Sequence, residues 1–284
     1  MRPPGCTVAA VTVVLGLLAA LAYGLSDFAG GVASRYRGAT TVLLHAYPVG
    51  ALLALVALPL LPGPLSWATF LWGVAGGVAG LAGVLCLYSA LTAGPMSILS
   101  PVSAVLAAVV PIVVGLAIGE RPAVLAWAGV AVGLVAVALV GGGGGAGSIP
   151  VRALGLAVAA GLGFGVYFVC LARADPQSGV WPLLVSRLTS AVLIVPFARR
   201  TGALHAMTGR ALGLALVAGT FDASANLAFL LASREGLLSL ASVLTSLYPA
   251  VTVVLAAVVL KERPTVVQRL GLAAAAASIV LITV

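Results

Sequence analysis

Long apolar stretches recur from one end of the chain to the other, separated by short clusters of Gly, Pro and charged residues. None of these stretches shows the strict apolar–polar alternation that is typical of a half-buried strand. A run of about 20 apolar residues is long enough to cross about 30 Å of hydrocarbon as a helix. Because hydrocarbon offers backbone amides no hydrogen-bond partners, the pattern predicts membrane-spanning helices.

Dividing the apolar stretches at these clusters predicts an all-α integral membrane protein with ten transmembrane helices. The first stretch is longer than the apolar region of a signal peptide, so we interpret it as a retained helix. The predicted helices cover residues 8–33, 39–60, 68–91, 97–118, 123–140, 151–171, 180–197, 210–233, 237–260 and 265–284.

A glycine-rich segment divides the ten predicted helices into two sets of five. Residues 141–150 include five consecutive glycines and have the composition of a flexible linker. This predicts a first five-helix repeat over 1–140 and a second over 151–284. An offset of 142 residues aligns 77–122 with 219–264 and gives 11 identities in 46 pairs. Because five is odd, a duplicated five-helix unit would enter the bilayer upside down, as in the inverted repeats of many secondary transporters.

Composition identifies the bilayer as the solvent for most of the chain. The sequence is 62% hydrophobic and 7% charged, with a mean hydropathy of +1.25, whereas soluble domains are about 25% charged. The net charge of +8 comes from arginines in short connections rather than from one basic face, which excludes a nucleic-acid partner. A single lysine against thirteen arginines suggests a GC-rich bacterial genome, so we expect a multi-pass protein of the bacterial inner membrane.

The residues that catalysis or metal binding would require are scarce. Two histidines, three scattered cysteines and six acidic residues provide no nucleophile–base pair and no ligand set at a workable spacing. Gly142, Gly144 and Gly147 match the dinucleotide-binding pattern, but no strand or acidic ribose partner accompanies them. We therefore predict no catalytic residues, no metal and no cofactor, and a protein that is not an enzyme.

Two pairs of motifs resemble the EamA-type branch of the drug/metabolite transporter superfamily. In the first half, residues 100–104 (SPVSA) lead to 119–122 (GERP), and in the second half 247–252 (LYPAVT) lead to 261–264 (KERP). The resemblance implies ten helices in two five-helix repeats around a central cavity lined mainly by helices one, three, four, six, eight and nine. It also implies transport of metabolites, often amino acids or related compounds.

The sequence departs from the pattern of this family at one position. Ala107 stands where the second repeat has Pro249 and where many relatives carry proline. Two identical hinges in the two halves are therefore not expected.

Asp222 is the first candidate for a substrate or coupling site, because a carboxylate inside a membrane span is costly and functional by default. Asn226 lies one helical turn later on the same face. We expect Asp222 either to take up a proton or to bind a cationic group of the substrate. The alternative is a structural ion pair with Arg187, the only basic residue inside a predicted span.

Further site candidates are distributed over both halves. Asp27 lies four residues after Tyr23 in the first helix, where a site role and a helix-end role are both open. Small hydroxyls and tyrosines complete the predicted cavity: Ser100, Ser242, Tyr88 and Tyr248. The alternatives for these are hydrogen bonds between helices for the serines and a headgroup-level position for the tyrosines.

Glu120 and Glu262 each precede an Arg-Pro pair. An acidic residue just before a proline in the first turn is typical of a helix start. We therefore interpret both acids as capping residues rather than as ion-binding groups.

The predicted function is secondary transport of small metabolites by alternating access, in the direction of export. The first alternative is proton-coupled efflux of lipophilic cations, and a remote alternative is a structural or regulatory membrane protein without transport activity. Expected partners are a small-molecule substrate, the lipid bilayer and, as a candidate coupling ion, the proton. We expect a monomer or a homodimer.

The orientation of the chain is left open by two conflicting indications. The resemblance implies cytoplasmic termini, which would place four basic residues on the cytoplasmic side and nine on the other. Basic residues normally accumulate on the cytoplasmic side, which favours the opposite orientation.

Overall fold

The computed structural model describes residues 4–94, 96–142, 150–259 and 265–283. Over these ranges the chain folds into α-helices without strands. A 3₁₀ turn, Pro176–Ser178, precedes the seventh helix. The helices are α1 (Pro4–Arg37), α2 (Ala39–Ala57), α3 (Trp67–Ala93), α4 (Met96–Ala117), α5 (Val124–Gly142), α6 (Val151–Arg173), α7 (Trp181–Arg200), α8 (Gly209–Glu235), α9 (Leu238–Thr245), α10 (Tyr248–Val259) and α11 (Val266–Thr283).

Seven helices within the described ranges are long and apolar enough to cross a membrane. Three shorter apolar stretches lie at Trp127–Leu139, Leu238–Thr252 and Val266–Ser278. The predicted class of an all-α, multi-pass membrane protein is therefore confirmed, while ten complete spans stay a prediction. The glycine-rich linker lies largely outside the described residues.

The helix predicted over 237–260 is divided into α9 and α10. The break at Ser246 and Leu247 comes just before Pro249, which has no N–H to donate to the carbonyl four residues earlier. Helix α4 runs without a break through Ala107, the corresponding position in the first half. The two halves therefore differ in the helix where the sequence departs from the family pattern.

The most extensive contacts between helices join one predicted half to the other. Helix α1 packs chiefly against α8, α3 against α6 and α7, and α5 against α11. Glycines permit some of these approaches: a Cβ on Gly77 would lie 2.6 Å from the Ser186 carbonyl oxygen, and one on Gly219 2.4 Å from that of Ala46. The centre of the protein is thus enclosed by helices of both halves.

Glu120 caps a helix, but not the helix that the sequence suggested. Helix α5 begins only at Val124, and the Glu120 carboxylate instead accepts hydrogen bonds at the start of α9. Glu120 therefore caps a helix, as predicted, but that helix is α9 rather than α5. The corresponding expectation for Glu262 falls outside the described residues.

Candidate functional site

A central cavity of about 330 Å³, counting the space through which it opens, lies between helices of both halves. Helices α1, α3, α6, α8 and α10 contribute residues to its lining. Its lining is mostly aromatic, with two carboxylates. The lining residues are Tyr23, Asp27, Val84, Tyr88, Phe164, Phe168, Asp222 and Tyr248.

A second cavity of about 220 Å³ adjoins the first and extends it towards α2. The two cavities share Val84, Tyr88 and Asp222, so they lie side by side near the middle of α3 and α8. Tyr47 of α2 lines the far part. Asp222 therefore borders both cavities, and aromatic side chains of α1, α3 and α6 line the first of them.

Asp222 forms an ion pair at the edge of this space. The distance between Arg187 Nη1 and Asp222 Oδ2 is 2.6 Å, and the exposed fractions of the two side chains are 5% and 19%. Arg187 also donates a hydrogen bond of 3.0 Å to the Tyr167 hydroxyl. Its guanidinium carbon lies 5.7 Å from the ring centre of Tyr47 and 5.6 Å from that of Tyr167. The charge of Arg187 is thus compensated by one carboxylate and two aromatic faces.

Asn226 extends the ion pair into a network that joins the two halves. Its side-chain amide donates to the Asp222 backbone carbonyl at 2.6 Å and to Asp222 Oδ1 at 3.2 Å. The Tyr23 hydroxyl donates to Asn226 Oδ1. Tyr23 belongs to α1 and Asn226 to α8, so one chain of hydrogen bonds runs from Tyr23 through Asp222 to Arg187. The predicted neighbours Asp222 and Asn226 do lie together, as their spacing suggested.

Asp27 lines the same cavity in a different environment. It lies one helical turn after Tyr23, and only 7% of the residue is exposed. Throughout the described part of the chain, no group donates a hydrogen bond to its carboxylate or pairs with it. A buried carboxylate without a donor requires a proton or a cation for compensation. The open side of Asp27 is the cavity.

Aromatic rings form a continuous wall beside Asp27. The ring centre of Tyr23 lies 5.9 Å from that of Phe168 and 6.1 Å from that of Tyr248. Phe168 stacks in turn on Phe229 at 4.3 Å. The Tyr248 hydroxyl is 3.0 Å from Ser103 Oγ, which fixes that ring against α4.

Ser100 and Ser242 are buried and are not among the residues that line the cavity. The Ser242 hydroxyl donates to the Leu238 carbonyl within its own helix. Ser103, which lies one turn after Ser100, contacts the cavity tyrosine instead. Phe164 and Phe168 line the cavity without having been predicted from the sequence, although two phenylalanines four residues apart on one helix are a recognisable signal.

The arrangement offers no assembled metal centre. Among the residues that the structure describes, no group of three His, Cys, Asp or Glu side chains lies close enough to bind an ion. The chemistry that the cavity can perform is the binding of a small molecule between carboxylates and aromatic faces.

Comparison with known proteins adds a family and a fold. Residues 151–284 match the model of the EamA-like transporter family. No curated protein sequence matches the chain significantly. Among 25 matching chains of solved structures, one crystal structure is 20% identical, with a TM-score of 0.70 over 95% of this chain and 95% of that chain. At that identity, the structural likeness establishes the fold alone.

Proposed function

We propose that this chain is a membrane transporter of the drug/metabolite type, which moves small metabolites through its central cavity by alternating access. The match of residues 151–284 to the EamA-like transporter family and the apolar helices support this proposal. The proposed direction is export, and the proposed location is a bacterial inner membrane. The observation that carries the proposal is the cavity itself, which is enclosed by helices from both halves and contains polar groups from both.

The packing of the helices supports alternating access between two similar halves. The contact of α1 with α8 has a counterpart in that of α6 with α3 when the halves are exchanged. Such an exchange is expected of inverted repeats, in which the rocking of one unit against the other opens the central site to each side in turn. We therefore propose an inverted-repeat transporter of ten spans.

Exchange of substrate in reconstituted vesicles tests transport directly. We expect purified protein in liposomes that are preloaded with unlabelled metabolites to accumulate the same metabolite in labelled form. Val84 borders both cavities, so Val84→Trp should block the space and abolish exchange. Val78→Trp on the same helix, at a position that is 49% exposed on the bundle surface, is the matched control and should leave exchange unchanged. Equal exchange by both variants would contradict the cavity route.

The second candidate function is proton-coupled efflux of lipophilic cations. The observation that favours it is the combination of two carboxylates with five aromatic rings in one cavity. In vesicles that contain a pH indicator, a lipophilic cation added outside should be exchanged for internal protons. The indicator should then report a rise in the internal pH. A metabolite exporter without proton coupling should show substrate exchange but no cation-induced pH change.

A further inference from the structure

We propose that the cavity binds one positive charge of its ligand, an ammonium at Asp27, because Arg187 already serves as the cation for Asp222. This inference rests on the proposed transport function and names the chemical class of the substrate. It predicts an organic monocation that carries an aliphatic or aromatic body. Dications and anions should bind more weakly.

The contrast between the two carboxylates carries the argument. Asp222 has a guanidinium at 2.6 Å and an amide donor at 3.2 Å, so its charge is compensated without a ligand. Asp27 faces the same space, is 7% exposed and has no protein donor within the described residues. An ammonium in the cavity would gain a direct charge pair at Asp27 in a medium of low dielectric constant. At Asp222 it would have to displace a tethered cation.

The other residues that line the cavity are mostly aromatic and would contact the hydrocarbon part of the ligand. Tyr23, Tyr88 and Tyr248 present rings close to Asp27, and Phe164 and Phe168 extend the apolar surface. Aromatic faces attract a cation held within about 6 Å of the ring centre and also bury its hydrocarbon part. A neutral molecule would gain only from burial of its hydrocarbon part, so a positive charge on the ligand should increase its affinity.

Binding to the purified protein in detergent tests this assignment independently of transport. The probes are 2-phenylethylammonium, its neutral analogue 2-phenylethanol, and the dication of 1,4-bis(aminomethyl)benzene, each measured by calorimetric titration. Wild-type protein should bind the monocation about 30-fold or more tightly than the alcohol, as expected for a buried charge pair. The dication should bind more weakly than the monocation.

Two variants separate the roles of the carboxylates. Asp27→Asn should bring the affinities for the monocation and the alcohol to within about threefold of each other, because the charge pair is lost. The double variant Arg187→Met with Asp222→Asn removes the internal ion pair and should retain the preference for the monocation. No preference in the wild type, an unchanged preference in Asp27→Asn, or loss of the preference in the double variant would overturn the assignment. The vesicle exchange assay tests the proposed transport function separately, so a negative result in the binding experiment would not contradict transport.

A second, independent observation concerns Glu120, which we infer to be a latch between the two halves. Its Oε1 accepts the Leu238 N–H at 2.7 Å, and its Oε2 accepts the Ser239 N–H at 3.1 Å and the Ser239 hydroxyl at 2.6 Å. The residue before α9 is Leu237, whose side chain cannot cap a helix. The first turn of α9 is therefore capped by a carboxylate from the other half of the chain.

Two glycines position the Glu120 carboxylate for its contact with α9. Glu120 follows Gly119, whose φ of 95° turns the chain after α4, and its backbone N–H bonds to the Gly115 carbonyl at 2.9 Å. A Cβ on Gly115 would lie 2.4 Å from Glu120 Oε2, so alanine there would displace the carboxylate. Because α9 is short and separated from α10 by a break, release of this carboxylate would free one end of α9 relative to α4.

Distance measurements between the two sides of the latch test its role. Spin labels replace the exposed Ile118 and Glu235, one on each half. Glu120→Gln and Gly115→Ala should both broaden and lengthen the distance distribution. Asp175→Asn is the matched control, since the Asp175 side chain accepts the Gln177 N–H of its own 3₁₀ turn and has no hydrogen bond to α9 within the described residues, and it should leave the distribution unchanged.

A double variant distinguishes a latch from an ordinary helix cap. Glu120→Gln with Ser239→Asp places a carboxylate on the first turn of α9 itself and should restore thermal stability, since an acid there complements the helix dipole. It should not restore the narrow distance distribution, because the new carboxylate belongs to α9. An unchanged distribution in Glu120→Gln, or a narrow one in the double variant, would refute the latch.

Discussion

Two aspartates line one cavity, but only one of them has a partner among the described side chains. Asp222 is joined to Arg187, Asn226 and, through Asn226, to Tyr23, so it links three helices, α1, α7 and α8. Asp27 has no partner among the described residues and borders open space. The difference teaches that a carboxylate within a membrane span can be a structural element or a binding element. Its partners decide which, because Asp27 is the more deeply buried of the two and yet has no partner among the described residues.

Removal of Arg187 should have the largest effect on stability. Arg187→Met leaves Asp222 in the membrane-spanning core without its counter-ion, and breaking one side of a buried ion pair costs about 3–5 kcal/mol. We expect a loss of this size in the free energy of unfolding, measured by denaturant titration of the detergent-solubilised protein.

The double variant Arg187→Met with Asp222→Asn is the control for that experiment. It removes both charges, so most of the lost stability should return. If the single variant proves as stable as the double variant, Arg187 does not compensate Asp222, and the contrast between the two aspartates disappears.

Tyr23→Phe should have an intermediate effect. The substitution keeps the ring against Phe168 and Tyr248 but removes the hydroxyl that donates to Asn226. Leaving a buried acceptor without its donor costs about 1–3 kcal/mol. Tyr36→Phe in the same helix alters a residue that is 60% exposed and should change the free energy of unfolding by less than about 0.5 kcal/mol. Equal effects of the two changes would show that the link between α1 and α8 contributes nothing.

Helix positions and local pairs were predictable from the sequence because they depend on neighbours along the chain. The apolar stretches located the helices to within a few residues, and the four-residue spacing placed Asn226 beside Asp222. Even the break between α9 and α10 has a local cause in Pro249, although the apolar pattern alone predicted one continuous helix.

Contacts between the halves were not predictable in the same way. Tyr23 meets Asn226 across 203 positions, and Glu120 meets Leu238 across 118. The partners of Asp222 and Asn226 cannot be predicted from the repeat, because the 142-residue offset aligns these residues with Gly80 and Val84. Polar groups that occur in one half alone can be paired only after the packing of the helices is known. For that reason the sequence left an ion pair and a binding site as equal alternatives for Asp222.

Asp27→Asn should have the smallest effect on stability, and this is the sharpest test of the comparison. The carboxylate has no hydrogen bond or ion pair to lose within the described structure, and an amide of the same shape is easier to bury than a charge. We expect the free energy of unfolding to stay within about 0.5 kcal/mol of wild type or to rise, in the same denaturant titration. A loss of about 2 kcal/mol or more would mean that Asp27 has a structural partner in the membrane-embedded protein. If Asp27 contributes no stability, its position inside the bundle is explained by its ligand, and the same variant should then lose the preference for the ammonium probe.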